Sequence, residues 1–338
     1  SHETQEIWPY LPRFVDAKLE LLVGDETEEL PVREFAVDED EAAFARQMAE
    51  VQPGWNAYSA SGTVTGEVVY ANYGTKADFA WLAGTGISCK GKIVIARYGG
   101  NYRGFKAKFA EEAGAAGLIM YTDPGDSGWG RGLSWPEGGF ANGSFIQRGS
   151  ILTLPWAGDP LTPGKPATKD AQRLDPDTLA LPKIPVQCVG WTAARKILAR
   201  MRGREVVSSW QGGLPFRYRV TQGAASFRVR LMVKQERAVV RTANVVGVVP
   251  GSEHPDEFVV IGCHRDAWTF GAGDPHAGTI ILYAVAEAFA REAKAGRPPA
   301  RTLRSRARDS GRLCYQLRHN PRCLPRQTRS PVGRWPGS

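Results

Sequence analysis

Two histidines and two aspartates stand close together in the segment IGCHRDAWTFGAGDPHAG, residues 261–278. His264 directly follows an apolar run, and Asp274 precedes a stretch with helical periodicity. Imidazole and carboxylate groups are common zinc ligands, and a carboxylate can span two cations because it has two oxygens. Asp266 can accept a hydrogen bond from the other ring nitrogen of His264 and so fix its tautomer. This spacing predicts His264 and Asp274 as metal ligands, with Asp266 supporting the histidine.

The same residues are also compatible with a polar loop between a strand and a helix, since surface loops often carry such side chains. His276, in the first turn of the predicted helix, is expected to face solvent. The tripeptide His264-Arg265-Asp266 also occurs in the catalytic loop of protein kinases. The Leu and Asn of that loop are absent here, as are a Gly-rich loop and a DFG segment, so a kinase is excluded.

The elements around this segment predict an α/β fold. Apolar, β-branched runs predict strands at 66–73, 92–98, 117–122, 184–189, 226–234, 244–249 and 258–262. Helical periodicity predicts helices at 75–84, 101–114, 191–203 and 276–295, with Ile281, Val285 and Phe289 on one face of the last helix. The runs at 244–249 and 258–262 are expected to be buried. Strands that alternate with helices at this spacing are typical of parallel sheets, whose carboxyl ends collect ligands.

Charge and composition exclude several classes of protein. The 338 residues carry a net charge of +8, but residues 301–338 alone hold ten Arg and one acid. The other 300 residues hold 33 basic and 34 acidic groups, so the body of the chain is not a basic nucleic-acid-binding surface. The five cysteines are too widely spaced for a metal knuckle or a disulfide framework. No apolar run is long enough to predict a transmembrane segment.

The chain resembles a known family over roughly residues 10–303. The segment NVVGVVPGSEHPDEFVVIGCHRDAWTFGAGDPHAGTIILYAVAEAF is similar to the glutamate carboxypeptidase II and transferrin receptor family of zinc exopeptidases. The segments KGKIVIARYGGNYRGFKAKFAEEAGAAGLIMYTDP and QRGSILTLPWAGDPLTPGKPAT resemble its protease-associated apical domain. The resemblance implies that His264 is a zinc ligand, that Asp274 bridges two zinc ions, and that Asp266 lies beside the histidine.

The resemblance also implies the domain organisation. Residues 1–24 are expected to belong to a protease-like domain with a mixed sheet, and residues 25–240 to an inserted α+β apical domain. Residues 241–303 are expected to form the first half of the zinc-peptidase-like domain. Residues 304–338, rich in Arg and Pro, are expected to be an aberrant, disordered tail.

The sequence departs from the family after residue 303. Where the family has a strand followed by Asp-Ala-Glu-Glu, Asp309 matches the Asp, but Gly311 and Arg312 occupy the positions of the two glutamates. The resemblance gives those glutamates the roles of general base and zinc ligand, which glycine and arginine cannot perform. The change in composition indicates a frameshift or assembly error. On this hypothesis the chain is truncated at both ends, and the remaining metal ligands lie beyond residue 338.

Two further positions carry weaker expectations from the resemblance. Lys76 lies near the position where glutamate-selective members carry a substrate-binding arginine, and Phe140 replaces one of their polar contacts. Lysine does not reproduce the bidentate carboxylate binding of arginine, so a preference for a C-terminal glutamate is not expected. Thr162 matches a position of the family's calcium site, although the sequence Thr162-Pro-Gly also reads as a tight turn.

These observations predict a fragment of a dinuclear zinc exopeptidase that acts on peptides and is inactive as it stands. The alternative is a non-catalytic, transferrin receptor-like binding protein. A truncated pseudogene product is compatible with the first of these hypotheses. Zn²⁺ is the expected cofactor, with Ca²⁺ as a further candidate. Family members form homodimers largely through a C-terminal helical domain, which is not expected in this chain. A secreted or membrane-anchored location follows from the resemblance only.

Overall fold

In the computed structural model of the chain, residues 1–36 and 52–308 are described here. These residues fall into two compact units that alternate along the chain. The first unit contains residues 1–10, 156–178 and those from 239 onward, and the second contains residues 11–155 and 179–238. The mixed α/β class expected from the sequence is confirmed.

The first unit contains a four-stranded mixed sheet and one long helix among its described residues. Its strands are β1 (His2–Ile7), β10 (Thr242–Val249), β11 (His254–His264) and β12 (Arg301–Arg308), in the order β1-β10-β12-β11. Strand β10 is antiparallel to β1 and β12, whereas β11 runs parallel to β12. Helix α5 (His276–Lys294) connects β11 to β12, as a parallel pair of strands requires.

Among its described residues, the second unit contains two four-stranded sheets. One has the order β3-β2-β9-β4 and is built from β2 (Tyr10–Val23), β3 (Glu26–Leu30), β4 (Gly62–Gly66) and β9 (Arg228–Val239). The other is parallel, in the order β5 (Val68–Tyr70), β6 (Ile93–Arg97), β7 (Gly117–Tyr121) and β8 (Val186–Val189). Helices α1 (Lys76–Gly84), α2 (Arg103–Glu112), α3 (Pro124–Ser127) and α4 (Trp191–Leu198) follow these four parallel strands in turn.

The core of the second unit lies around the parallel sheet. Strands β6, β7 and β8 are buried along their whole length, as their β-branched sequences indicate. Helix α1 begins at a capping box, in which the Thr75 side chain accepts from the Asp78 amide and the Asp78 carboxylate accepts from the Thr75 amide. The strand–helix–strand pattern predicted for residues 92–122 is confirmed.

Two domain boundaries differ from the expected ones. A boundary at 24/25 would divide the hairpin of β2 and β3, in which Val23 pairs with Glu26, so the second unit starts at residue 11. Residues 156–178, expected in the apical domain, belong to the first unit. There the amide of Trp8 donates a hydrogen bond to the carbonyl of Ala167.

The expectation of disorder from residue 304 is wrong for residues 304–308, which complete β12. This strand lies between β10 and β11, so both of its backbone edges are paired. Leu303 and Ala307 are buried, and the Arg304 guanidinium lies 4.2 Å from the centre of the Phe258 ring. With four arginines in eight residues, this segment lacks the apolar pattern that predicts a strand from sequence. Residues 309–338, including Gly311 and Arg312, lie outside the described residues.

Candidate functional site

The residues predicted to bind metal lie at the carboxyl end of β11 and in the loop that follows it. His264 is the last residue of β11, and helix α5 begins at His276. Strand β12 runs parallel to β11 and ends at Arg308, in register with His264. The site therefore lies where two parallel strands end, which is the edge of an α/β sheet at which ligand-binding side chains collect.

The imidazole of His264 contacts both predicted carboxylates. Its Nε2 lies 2.7 Å from Oδ1 of Asp274. Its Nδ1 lies 3.2 Å from Oδ1 of Asp266 and 3.0 Å from the Asp266 carbonyl oxygen. The histidine side chain is 30% exposed and that of Asp274 is 83% exposed, so the pair is open to solvent on the aspartate side. The three residues converge at one point, as the spacing predicts.

Several backbone contacts hold the loop between β11 and α5. The Thr279 hydroxyl donates to the His264 carbonyl at 3.0 Å, which ties the end of β11 to the first turn of α5. The His276 amide donates to the carbonyl of Gly271, whose φ of +72° favours glycine. At Gly278 a Cβ atom would lie 2.6 Å from Sγ of Cys263, so a larger residue would displace this packing.

The side chains present could supply some, but not all, of the ligands of a catalytic zinc ion. Imidazole Nε2 and carboxylate Oδ1 are suitable ligands, and Asp266 orients the ring from its other nitrogen. A catalytic zinc site has about three protein ligands. Within residues 1–36 and 52–308, no group of three or more His, Cys, Asp or Glu residues is placed to hold a metal ion. The described residues thus supply two donors, and no catalytic step through a metal is derived from them.

The surroundings of the site differ from expectation. Strand β11 was expected to be buried, but it lies at the edge of its sheet among the described residues, with Val259 47% exposed. The apolar face of α5 that the sequence predicts is also exposed at Ile281 and Phe289. Thr279 and Leu282 are the buried residues of this helix. Periodicity indicates an apolar face but does not show which part of the chain covers it.

The other candidate residues lie apart from this loop in the sequence. Lys76 is exposed and is the first residue of α1, and Phe140 is an exposed side chain in the loop after α3. Thr162 is buried, and its hydroxyl donates to Asp159 at 3.0 Å within a turn. The Asp159 carboxylate also accepts from the amides of Tyr10 and Leu161. These contacts suit the turn interpretation of Thr162, and its role in a calcium site stays a prediction.

Sequence reasoning missed Arg103, the first residue of α2. Its guanidinium lies 5.9 Å from the ring centre of Tyr98 and 5.8 Å from that of Tyr102. Its Nε is buried and has no hydrogen-bond partner among the described residues. The N-cap residue Tyr102 makes no side-chain cap for α2. An unpaired guanidinium N–H is a donor that a carboxylate could use, and the sequence YRG gives no pattern that predicts it.

Comparisons with known proteins identify both parts of the chain. Residues 64–154 match the model of the PA domain, and residues 244–305 match that of peptidase family M28. The chain is 38% identical over 259 residues to the mouse aminopeptidase NAALADL1, covering 73% of this chain and 34% of that protein. It is 36% identical over 262 residues to a glutamate carboxypeptidase 2 homolog of Caenorhabditis elegans, covering 74% of this chain and 34% of that protein. The chain thus spans about a third of the length of these relatives.

A solved structure supports the fold. The peptidase M28 precursor from Shewanella amazonensis aligns with 93% of this chain and 55% of its own, with a TM-score of 0.51 and 17% sequence identity. No helix among the described residues is both long and apolar enough to cross a membrane.

Proposed function

Because this chain belongs to peptidase family M28, in the branch of glutamate carboxypeptidase II and the transferrin receptor, we propose that His264 and Asp274 are its zinc donors. The observation that supports this most directly is the 2.7 Å contact between Nε2 of His264 and Oδ1 of Asp274. Asp266 supports the ring at Nδ1, so Nε2 is the nitrogen directed at Asp274. A zinc ion, when bound, supplies Lewis-acid polarisation of a scissile carbonyl.

The chain as it stands does not hydrolyse peptides under this proposal. A peptidase of this kind needs a general base near the metal, and the resemblance places that base and a further zinc ligand at Gly311 and Arg312. Glycine has no proton acceptor in its side chain, and the permanent charge of arginine opposes a cation. On this proposal the ancestral function is that of a zinc exopeptidase, in which His264 and Asp274 would be among the residues that hold the metal.

A non-catalytic binding protein is the second candidate. It is favoured by the incomplete donor set, since two described donors are too few for a catalytic zinc. It leaves the contact between His264 and Asp274 without a purpose, because a binding module has no need of two metal-directed groups at one point. For this reason the peptidase ancestry is preferred.

Zinc binding separates these proposals. Isothermal titration of the full chain with Zn²⁺ is expected to give a dissociation constant weaker than about 1 μM, because two ligands give only part of the affinity of a complete site. His264→Ala and Asp274→Ala are each expected to reduce the binding to background. The matched control is His254→Ala, which removes an exposed histidine at the opposite end of β11.

Two outcomes would contradict the proposal. Zinc binding that both variants leave unchanged would show that His264 and Asp274 are not the donors. Binding at nanomolar concentration that both variants abolish would show that the site is complete, and the proposed inactivity would then be wrong.

Arg103 is the proposed receptor for a carboxylate of the peptide. A partly buried guanidinium without an acceptor at Nε, at an uncapped helix N-terminus, gains charge-assisted hydrogen bonds when a carboxylate arrives. We expect Arg103→Met to weaken the binding of a peptide with a free C-terminus at least tenfold, as measured by NMR titration of the amides in α2. The same peptide with an amidated C-terminus is the control, and equal binding of both peptides would rule out this role.

A further inference from the structure

Lys106 is a buried cation that the proposed function does not use. It lies in α2 and is fully buried, although lysine is among the residues least often found inside proteins. A buried ammonium is tolerated only where its hydrogen bonds are made within the protein. Its partners therefore indicate what it does.

The ammonium of Lys106 has three partners, which belong to two loops. Nζ donates to the carbonyl of Tyr73, in the loop between β5 and α1. It also donates to the carbonyl of Gly99 at 2.6 Å and to Oδ1 of Asn101 at 2.7 Å, both in the loop between β6 and α2. Asn101 in turn donates from Nδ2 to the Gly74 carbonyl at 3.3 Å. All three ammonium protons are thus used to join these two loops.

The backbone of both loops is shaped for this contact. Gly74, Gly99 and Gly100 have φ values of +60°, +106° and +74°, which favour glycine. A Cβ atom at Gly74 would lie 3.3 Å from Cβ of Lys106, so the loop passes close above the lysine. Such turns present carbonyl groups that regular structure does not satisfy, and the lysine supplies the missing donor.

The two loops lead directly into candidate substrate-binding residues. Lys76 begins α1 shortly after Tyr73, and Arg103 begins α2 shortly after Asn101. We propose that Lys106 is a positioning residue, whose ammonium joins the β5–α1 and β6–α2 loops and thereby holds Arg103 in place to receive a substrate carboxylate. The functional part of this inference rests on the proposed role of Arg103, whereas the joining of the loops does not.

The charge state of Lys106 modulates this contact. Burial lowers the pKa of Lys106 to about 8. The charged groups that face it are Asp78 and Asp126, which favour its charged form, and Arg97 and Arg103, which oppose it. The Tyr73 ring lies 5.9 Å from Nζ, and burial raises the pKa of its phenol to about 12. Opening the loops exposes the ammonium to water and restores its usual pKa, so above pH 8 opening requires the uptake of a proton and becomes less favourable as the pH rises.

Hydrogen exchange of the full chain tests the joining of the loops. Lys106→Met keeps most of the side-chain volume but removes the donor, and Asn101→Ala removes one acceptor with little effect on the core. We expect both variants to raise amide exchange in residues 73–76 and 99–103 at least tenfold, with exchange in β7 and β8 unchanged for Asn101→Ala. Lys108→Met, at an exposed position of the same helix, is the matched control and is expected to change neither loop.

If Lys106→Met does not fold, Asn101→Ala and the wild-type exchange between pH 7 and pH 9 remain decisive. The wild-type loops are expected to exchange more slowly at pH 9 than the intrinsic effect of pH predicts, because their opening then requires the uptake of a proton by Lys106. Unchanged loop exchange in Asn101→Ala, with no such slowing at pH 9 in the wild type, would overturn the inference.

The role toward Arg103 has a separate readout. Binding of a peptide with a free C-terminus is expected to weaken at least threefold in Asn101→Ala and to be unchanged in Lys108→Met. If the peptide does not bind the wild-type chain at all, the proposed role of Arg103 fails and the exchange result stands. If it binds equally to the wild type and Asn101→Ala while the loops exchange faster, the positioning role is wrong.

Discussion

Replacement of Asp123 by Ala is expected to lower the free energy of unfolding of the second unit by about 4 kcal/mol, more than most single substitutions. Asp123 follows β7 and is fully buried. Its Oδ2 accepts from the hydroxyls of Tyr121 and Tyr218 at 3.0 and 2.5 Å. Its Oδ1 accepts from the amides of Gly125 and Gly213 at 2.8 and 2.7 Å. Alanine would leave all four donors without this acceptor, in a region from which water is excluded.

Amide exchange in β6 and β7, followed at increasing urea concentration, measures this loss as a shift of the unfolding midpoint. Asp123→Asn is expected to have about half the effect, because an amide oxygen can still accept from the two glycine amides while the tyrosine hydroxyls turn to accept from Nδ2. Asp25→Ala, in the exposed turn between β2 and β3, is the control and is expected to stay within about 0.5 kcal/mol of the wild type. Equal midpoints for Asp123→Ala and Asp25→Ala would show that this network does not stabilise the unit.

The network around Asp123 shows what the sequence could and could not predict. The strands on either side follow from composition, because β7 consists of apolar residues alone and β8 is largely apolar. The capping box at Thr75 and Asp78 is also a local signal. Asp123 itself reads as an ordinary helix cap before a proline. Its other partners are about ninety residues away in the sequence, and no local pattern connects them.

In the first unit, the sequence predicts strand β11 correctly but predicts its burial wrongly. The run FVVIG predicts a strand, and β11 confirms it, but the expected burial is wrong, because β11 lies at the edge of its sheet and the described residues leave most of its side chains exposed. For β12 the error has another cause. The segment RTLRSRAR lacks apolar alternation, yet pairing on both edges holds it in the sheet. Tertiary pairing overrides local preference in such strands.

The sequence predicts which residues of the candidate site lie together, but it does not show whether they make up a complete set of metal ligands. His264, Asp266 and Asp274 are close in sequence, so a single loop can bring them together, and the structure does so. The remaining donors of a dinuclear centre come from distant parts of a chain, and only a resemblance can indicate them. Arg103 illustrates the same limit. Its significance lies in the unsatisfied Nε and the aromatic rings around it, which are properties of the folded structure.

Lys106 gives the second large effect, a rise in stability with pH. The folded protein lowers the pKa of this lysine from 10.5 to about 8 through burial, so below pH 8 the folded state carries the full unfavourable effect of a buried ammonium. Between pH 8 and 10.5 the unfolded state binds more protons than the folded state, and the free energy of unfolding therefore rises with pH. The total rise corresponds to about 3 kcal/mol at 1.36 kcal/mol per pKa unit.

Buried tyrosines act in the opposite direction at the upper end of this range. Burial raises the pKa of Tyr70, Tyr98, Tyr121 and Tyr218 well above the usual value, so unfolding is favoured once free phenols ionise near pH 10. The difference between the wild type and Lys106→Met cancels this contribution, because both proteins contain the same tyrosines. Urea unfolding at pH 7, 8, 9 and 10 is expected to show this difference moving in favour of the wild type above pH 8. A difference in stability between the two proteins that is the same at all four pH values would show that Lys106 keeps its ordinary pKa in the folded protein. Its three hydrogen bonds would then fully offset the effect of burial on the pKa.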